Sequence, residues 1–483
     1  MELKAKAFSA VRWTTVGVAG KSMLQFLQIV VLARLLQPIE IGTMSVALSI
    51  TMFVALFVDV GISNAIIHHK NIGQEQRSSL YWLNIFAGLG LTVLFAAASP
   101  WMAAFYREPA LLSVLLIISP YFLVYALGQQ LRVIAEKELL FSRLIIIELV
   151  STLAGFLTTI VLAIADYGVK SVAFGFLTMA VSFTLLSWKF LSRGWRPDFK
   201  FHYADAKKYL NYGFYVIGNN LVSTVNSGAD IFIGGRVLGL GALAAYGLPR
   251  DLMLNLSTVI NSVVTRVALP LMAKSQDSDT DLKRVYLNTL KMTASVNIPV
   301  FLAVFLLAPE VVRLVFGGRW VESVPLLRLL AVWGMLRSFG QPIGSLIFAV
   351  GRADLAFKWN MGWMLLTIPT LWFGLHYGTS GLIVAMLLLA IVGQIPNWWF
   401  LAYPLCGAGF SEYFLQLGRP MLAAAVTALP IWLILSCVHE AYARVGVGLL
   451  VGGVGYLLTS YYLNREWICY LREMLASAAD RNG

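Results

Sequence analysis

Apolar residues run along this chain in blocks of about twenty, separated by short segments where Gly, Pro and charge collect. A block of that length, wound as a helix, crosses a hydrocarbon core of roughly 30 Å. The pattern predicts spans at 14–36, 41–67, 79–104, 111–131, 144–165, 169–191, 209–235, 242–272, 286–308, 321–350, 356–375, 379–403, 420–438 and 445–464. That makes fourteen helices and leaves no stretch for a soluble domain. The blocks at 209–235, 242–272 and 321–350 are long and spotted with polar residues, so each is expected to be tilted, kinked or partly interfacial.

Composition strengthens this picture. Of 483 residues, 59% are hydrophobic and 12% charged, whereas soluble domains carry about 25% charged residues. The opening MELKAKAFSAVRW is basic but has no short apolar core followed by a small-residue cleavage site, so the first span is expected to stay in the mature protein. Lys and Arg near the span ends give the orientation, because cytoplasmic loops retain them. With the N-terminus inside, the inner segments hold 23 of the 36 basic residues and the outer segments hold seven: Arg34, Arg107, Lys170, Arg236, Arg313, Arg319 and Arg444. Both termini are therefore expected in the cytoplasm. The net charge of +12 then needs no nucleic-acid partner, since anionic membrane lipids of the inner leaflet answer it. Cys406, Cys437 and Cys469 have no metal or disulfide spacing.

The longest basic loop, KFLSRGWRPDFKFHYADAKK, follows six spans, and the chain after it resembles the chain before it. VVLARLLQPIEIGTMSVALSI (30–50) and IFIGGRVLGLGALAAYGLPRDL (231–252) each place an Arg at a span end, then a short Gly or Pro connection, then a span rich in small residues. Six is even, so the two halves share one topology and are related by an axis along the membrane normal. The expected architecture is an all-α polytopic membrane protein with two six-helix lobes in a parallel pseudo-two-fold repeat around a central cavity. The N-lobe is 1–192, a basic cytoplasmic linker 193–208, the C-lobe 209–404, and an appended pair of spans with a tail 405–483.

Charge at mid-membrane is costly, about 2.5 to 3.5 kcal/mol per residue on insertion scales, and so faces a cavity or a partner. Asp251, Asn255, Thr258, Ser262 and Arg266 recur at steps of three and four, which places them on one face of a helix. Asn219, Ser223, Asn226 and Asp230 repeat the device, as do Lys21, Gln25 and Gln28, and then Trp333, Arg337 and Gln341. For the neutral members, bonding to neighbouring helices is an equal alternative. Six bases fall within spans, Lys21, Arg250, Arg266, Lys291, Arg328 and Arg337, against four acids, Asp59, Glu148, Asp230 and Asp251. Arg250 and Arg328 are candidates for snorkelling to a headgroup layer, and Arg250 for pairing with Asp251. The excess of bases suits an anionic substrate such as a phosphate head group. Trp and Tyr at span ends, as in YWLN and PNWWF, read as interface anchors. His68-His69 reads as a cytoplasmic loop pair rather than a metal site.

Enzyme signatures are missing: there is no phosphate-cradling loop, HExxH, GxSxG or extramembrane carboxylate pair. The chain is therefore expected to be a non-enzyme with no catalytic residue, no cofactor and no metal.

The stretch VVLARLLQPIEIGTMSVALSITMFVALFVDVGISNAIIHHK resembles the opening of Wzx-type flippases. These belong to the polysaccharide transporter branch of the multidrug/oligosaccharidyl-lipid/polysaccharide exporter superfamily, and the branch in question includes the colanic acid exporter. GGRVLGLGALAAYGLPRDL, TRVALPLMAKSQDS, VFGGRWVESVPLLRLLA and GRADLAFKWN continue the likeness in order. The resemblance implies alternating access by two lobes. The cargo implied is an undecaprenyl-pyrophosphate-linked oligosaccharide, moved to the outer leaflet of the bacterial inner membrane for exopolysaccharide, capsule or O-antigen. It also implies a polysaccharide polymerase and export machinery as partners. Lys21, Arg266 and Arg337 are the first candidates to hold the pyrophosphate, with Gln25, Gln28, Asn219, Asn226, Asn255, Thr258, Ser262 and Lys291 lining the cavity and Asp59, Asp230 or Asp251 coupling an ion. Three rivals stand beside this reading. A multidrug or cation antiporter of the same superfamily would favour cavity acids over bases. A peptidoglycan-precursor flippase matches these motifs less well, and a membrane-embedded glycan polymerase would need a larger outer loop. Arg266→Ala and Arg337→Ala are each expected to impair transport in correctly inserted protein, and full activity of both in a transport assay sinks the assignment.

Overall fold

The computed structural model describes residues 2–59, 66, 73–198, 203–438, 440–465 and 467, without the side chains of 2–12, 203–217, 219, 263, 266, 267 and 353. The described residues form helices and no strand. In chain order they are α1 (Glu2–Leu35), α2 (Pro38–Ala55), α3 (Gln74–Tyr106), α4 (Pro109–Ile118), α5 (Tyr121–Lys137), α6 (Phe141–Ile164), α7 (Val169–Leu191) and α8 (Tyr203–Val237). There follow α9 (Leu240–Lys274), α10 (Asp279–Leu306), α11 (Ser323–Ser338), α12 (Gln341–Ala349), α13 (Ala353–Leu375), α14 (Gly378–Val392), α15 (Phe410–Cys437) and α16 (Ala441–Leu463). Among the described residues ten helices are long and apolar enough to cross a membrane, and α8 and α9 are outside that set.

Each block read from the sequence carries helix, but several are broken: α2 stops at Ala55 within the block at 41–67, and the block at 379–403 is interrupted at Gly393. The block at 111–131 divides at Ser119-Pro120 into α4 and α5, and the block at 321–350 divides between Ser338 and Gln341 into α11 and α12. Proline is the physical reason in both. Pro120 and Pro342 lack the N–H that would continue the preceding helix, and each ring crowds the carbonyl four residues back, so each stands at the start of a new helix instead.

By contacts the chain forms two compact units, Met1–Gly247 with Asn360–Leu375, and Leu248–Trp359 with His376–Gly483. In the first, small residues let backbones approach. A Cβ added at Gly175 in α7 would lie 1.8 Å from Thr159 Oγ1 and 2.6 Å from the Gly155 carbonyl, so α6 and α7 pack through glycine. At Gly42 in α2 the added carbon would sit 1.9 Å from the Leu240 carbonyl oxygen. Hydroxyls inside the helices turn back on their own turns, as Thr43, Thr51, Ser99, Ser151 and Thr159 do to carbonyls four residues earlier. Such bonds satisfy polar groups where no water reaches. Outward, Leu94, Trp101, Leu185, Leu365 and Leu450 are exposed, which is the surface a lipid solvent requires.

The second unit is organised on α10. Tyr286, Leu290, Ala294 and Ile298, one every four residues, form a buried stripe that meets Phe339, Ile343, Trp398, Tyr413, Leu417 and Tyr456. The pair α15 and α16 is fixed to the α10 segment at three heights. Lys283 Nζ bonds Glu412 at 2.6 Å, Asn464 Nδ2 donates to Ser295 Oγ at 2.8 Å, and Arg444 Nη1 donates to Glu310 at 2.8 Å. Between α10, α15 and α16 lies a cavity of about 420 Å³ with almost wholly apolar walls. The two ion pairs differ in environment, since Glu310 is 3% exposed while both partners at Lys283–Glu412 are open. Arg444→Ala, which strands a buried carboxylate, is therefore expected to cost about 3 kcal/mol of stability, and Lys283→Ala less than about 1 kcal/mol. Thermal unfolding of detergent-solubilised protein compares them, and equal losses would contradict the assignment of the buried pair as the anchor.

Candidate functional site

Charge is concentrated where α1, α5 and α6 meet in the first unit. Glu148 lies seven residues into α6, about 10 Å along its axis at 1.5 Å per residue. The Lys21 ammonium from α1 hydrogen-bonds Glu148 Oε2, and Arg132 Nη2 from α5 stands 3.6 Å from Glu148 Oε1. Arg132 Nε donates to Glu136 Oε1 at 3.0 Å one turn along α5. Glu148 is the most enclosed of the group, its side chain 13% exposed against 35% for Lys21 and 37% for Arg132. One carboxylate thus holds two partly accessible cations in place, and all carry hydrogen-bonding partners, which is the condition for keeping charge in a low-dielectric setting.

The remaining sequence candidates fall as follows. Along α1 beyond Lys21, Gln25 is exposed and Gln28 half-buried. Asn226 of α8 donates to the Asn360 carbonyl at 2.9 Å, while its own Oδ1 is buried with no partner. Asp230 is buried and accepts a hydrogen bond from the Tyr246 hydroxyl. Asp59 is half-buried just past α2. In the second unit, Arg250 is buried and pairs with Asp251 at 3.2 Å, so the local pairing read from the sequence is present. Asn255, Thr258 and Ser262 share the expected face of α9, but each bonds a carbonyl of its own helix, at Asp251, Leu254 and Val259. Lys291 of α10 is buried, and Arg328 is exposed. Arg337 is exposed, with its guanidinium 5.3 Å from the Trp333 ring in a cation–π contact. The side chains of Asn219 and Arg266 and the His68-His69 pair lie outside the described residues.

Sequence reasoning missed two features. Arg132 counts as a loop cation in the charge census, yet it is the second arm of the Glu148 cluster. The other is a buried polar chain about a third of a turn from the α9 stripe, in which Asn261 Nδ2 donates to Ser257 Oγ and Asn297 Nδ2 to Asn261 Oδ1, both at 2.9 Å. Its signal was available, because Arg250, Ser257 and Asn261 stand seven and four apart. Outside the spans, hydrogen bonds from Arg352 Nε and Nη2 at 3.0 and 3.2 Å hold the Asp354 carboxyl below the usual carboxylate range.

Comparison with known proteins gives the family. The family described as "Polysaccharide biosynthesis protein" matches residues 31–325, more than half of the chain. The chain belongs to this family. Glu148, Arg132 and Asp230 lie inside the matched segment, whereas Lys21 and Arg337 lie outside it. Family relatives extend the likeness along nearly the whole length. Lipopolysaccharide biosynthesis protein WzxC of Escherichia coli (strain K12) is 30% identical over 428 residues, 88% of this chain and 87% of the relative. Teichuronic acid biosynthesis protein TuaB of Bacillus subtilis (strain 168) is 30% identical over 455 residues, 93% of this chain and 94% of the relative. Among solved structures, lipid II flippase MurJ in an inward closed conformation aligns with a TM-score of 0.78 at 16% identity, covering 94% of this chain and 99% of that one. The fold is thus the one this flippase has, and the ten long apolar helices among the described residues make the chain a multi-pass membrane protein.

Proposed function

We propose that this protein is a flippase for lipid-linked oligosaccharides destined for surface polysaccharide. Its cargo is the undecaprenyl-pyrophosphate-linked repeat unit, taken from the cytoplasmic to the outer leaflet of the bacterial inner membrane. The observation that carries the reading is the relationship at 30% identity, along most of the chain, to proteins named for lipopolysaccharide and teichuronic acid biosynthesis. Two features of the site support it. Lys21 and Arg132 place two cations side by side within apolar helices, a geometry suited to the two phosphates of a pyrophosphate. Polar faces on α1, α8 and α9 offer amides and hydroxyls to sugars, while the polyprenyl tail stays in hydrocarbon.

In this reading fourteen spans leave both termini in the cytoplasm, six in each lobe of 1–192 and 209–404, and the lobes rock to expose the cargo on alternate sides. Lys21, Arg266 and Arg337 hold the pyrophosphate, Gln25, Gln28, Asn219, Asn226, Asn255, Thr258, Ser262 and Lys291 line the cavity, and Asp59, Asp230 or Asp251 couples an ion. A polymerase and export machinery consume the product.

Deletion of the gene tests the reading. The expected outcome is loss of the surface polysaccharide with lipid-linked repeat units accumulating on the cytoplasmic side, both restored by the intact gene. Accumulation of the peptidoglycan precursor instead, or unchanged surface polysaccharide, overturns it.

A further inference from the structure

Lys21 and Arg132 come from helices remote in sequence, yet both are satisfied by the same carboxylate. Glu148 Oε2 takes the Lys21 ammonium, and Glu148 Oε1 faces Arg132 Nη2 at 3.6 Å. Arg132 Nε stays on Glu136, which sets the plane of the guanidinium independently of Glu148. The two contacts to Glu148 differ in closeness, and 3.6 Å is beyond the usual length of a charge-assisted hydrogen bond. The Arg132 arm is therefore held loosely enough to change partner. Both cations are about a third exposed and are not sealed by protein.

A pyrophosphate diester carries two negative charges and presents oxygens to the same donors that Glu148 now occupies. Three like charges cannot share one pair of cations at low dielectric, since like charges a few ångströms apart repel by several kcal/mol at an effective dielectric near 20. Resting on the flippase reading above, we infer that Glu148 is a resident counter-ion, which neutralises Lys21 and Arg132 in the absence of cargo and is displaced from them by the pyrophosphate. The displaced carboxylate takes one proton from water. No bond in the cargo is made or broken, and the site gains two negative charges from the diester and one positive charge from the proton. Release reverses the exchange, with Glu148 giving up its proton and reclaiming both cations, which pushes the product out.

The groups facing Glu148 are few enough to make the proton assignable. Lys21 is the one ionisable residue of α1 between Trp13 and Arg34. From α5 come Arg132 and Glu136, with Tyr125 two turns before Arg132 on the same helix. The helix α7, packed along α6, brings no ionisable side chain between Lys170 and Lys189, and Arg143 of α6 is exposed. Glu136 keeps the Arg132 Nε throughout, so its charge is not displaced.

The test uses the full-length protein in nanodiscs and a soluble diester, citronellyl pyrophosphate linked to glucose, which does not itself titrate near neutrality. Calorimetry at pH 7 in two buffers of unlike ionisation enthalpy counts protons. The wild-type protein is expected to take up about one proton per probe bound. Glu148→Gln should take up none and bind about tenfold tighter or better, because no internal anion competes, while Glu148→Asp should keep the proton uptake. Binding by the wild type without proton uptake, or equal uptake in Glu148→Gln, overturns the role of Glu148 and leaves the flippase reading standing. Failure of the wild type to bind the probe overturns both. If Glu148→Gln does not fold, the wild-type count and Glu148→Asp decide.

Discussion

A carboxylate seven residues inside a membrane helix cannot stand alone, and Glu148 sets terms that the first unit must meet. Its charge requires cations at a fixed depth, and α1 and α5 deliver Lys21 and Arg132 to it. Those helices are then tied to α6 by electrostatics as well as by packing. Elsewhere in the same unit contact rests on shape, as at Gly155 and Gly175, where α6 and α7 meet through backbone. Lipid solvates apolar side chains as well as a protein core does, so close packing and matched polar groups, rather than hydrophobic burial, hold such helices together. The Glu148 cluster is a structural tie that also brings two cations together inside the first unit.

The second unit meets the same problem differently inside its helices. Its buried polarity is spread through amides and hydroxyls, Ser257, Asn261 and Asn297, and through the pair of Glu310 and Arg444. The helices α15 and α16, which look appended in the sequence, are bonded to the α10 segment at both ends and in the middle. An apolar cavity lies between them and α10. The two units thus differ in their buried chemistry: the first gathers two cations on Glu148, and the second combines a neutral amide and hydroxyl chain with separate ion pairs.

Much of this was legible in the sequence because membrane helices announce themselves by length and apolarity. The helix positions, the pairing of Arg250 with Asp251 and the shared face of Asn255, Thr258 and Ser262 all follow from local spacing. What local spacing does not carry is the partner of a side chain. Lys21 and Glu148 are 127 residues apart, and no periodicity joins them. Arg132 was assigned to a loop because it lies near a helix end, though its guanidinium reaches a full helix away to Glu148. The hydroxyls and amide of the α9 stripe were read as facing a cavity, and each also has a carbonyl of its own helix within reach. Pro120 and Pro342, by contrast, were visible breaks whose consequence is plain once the missing N–H is counted.

The most direct measurement is translocation in liposomes containing only this protein. Vesicles are loaded with fluorescent undecaprenyl-pyrophosphate-linked oligosaccharide, and a membrane-impermeant reductant reports the label on the outer leaflet. The account predicts that the protected inner-leaflet fraction declines with time in protein-containing vesicles and stays constant in protein-free ones. Loss of protection no faster than in protein-free vesicles, from protein that is folded and inserted, would contradict the claim that this chain moves the lipid-linked glycan.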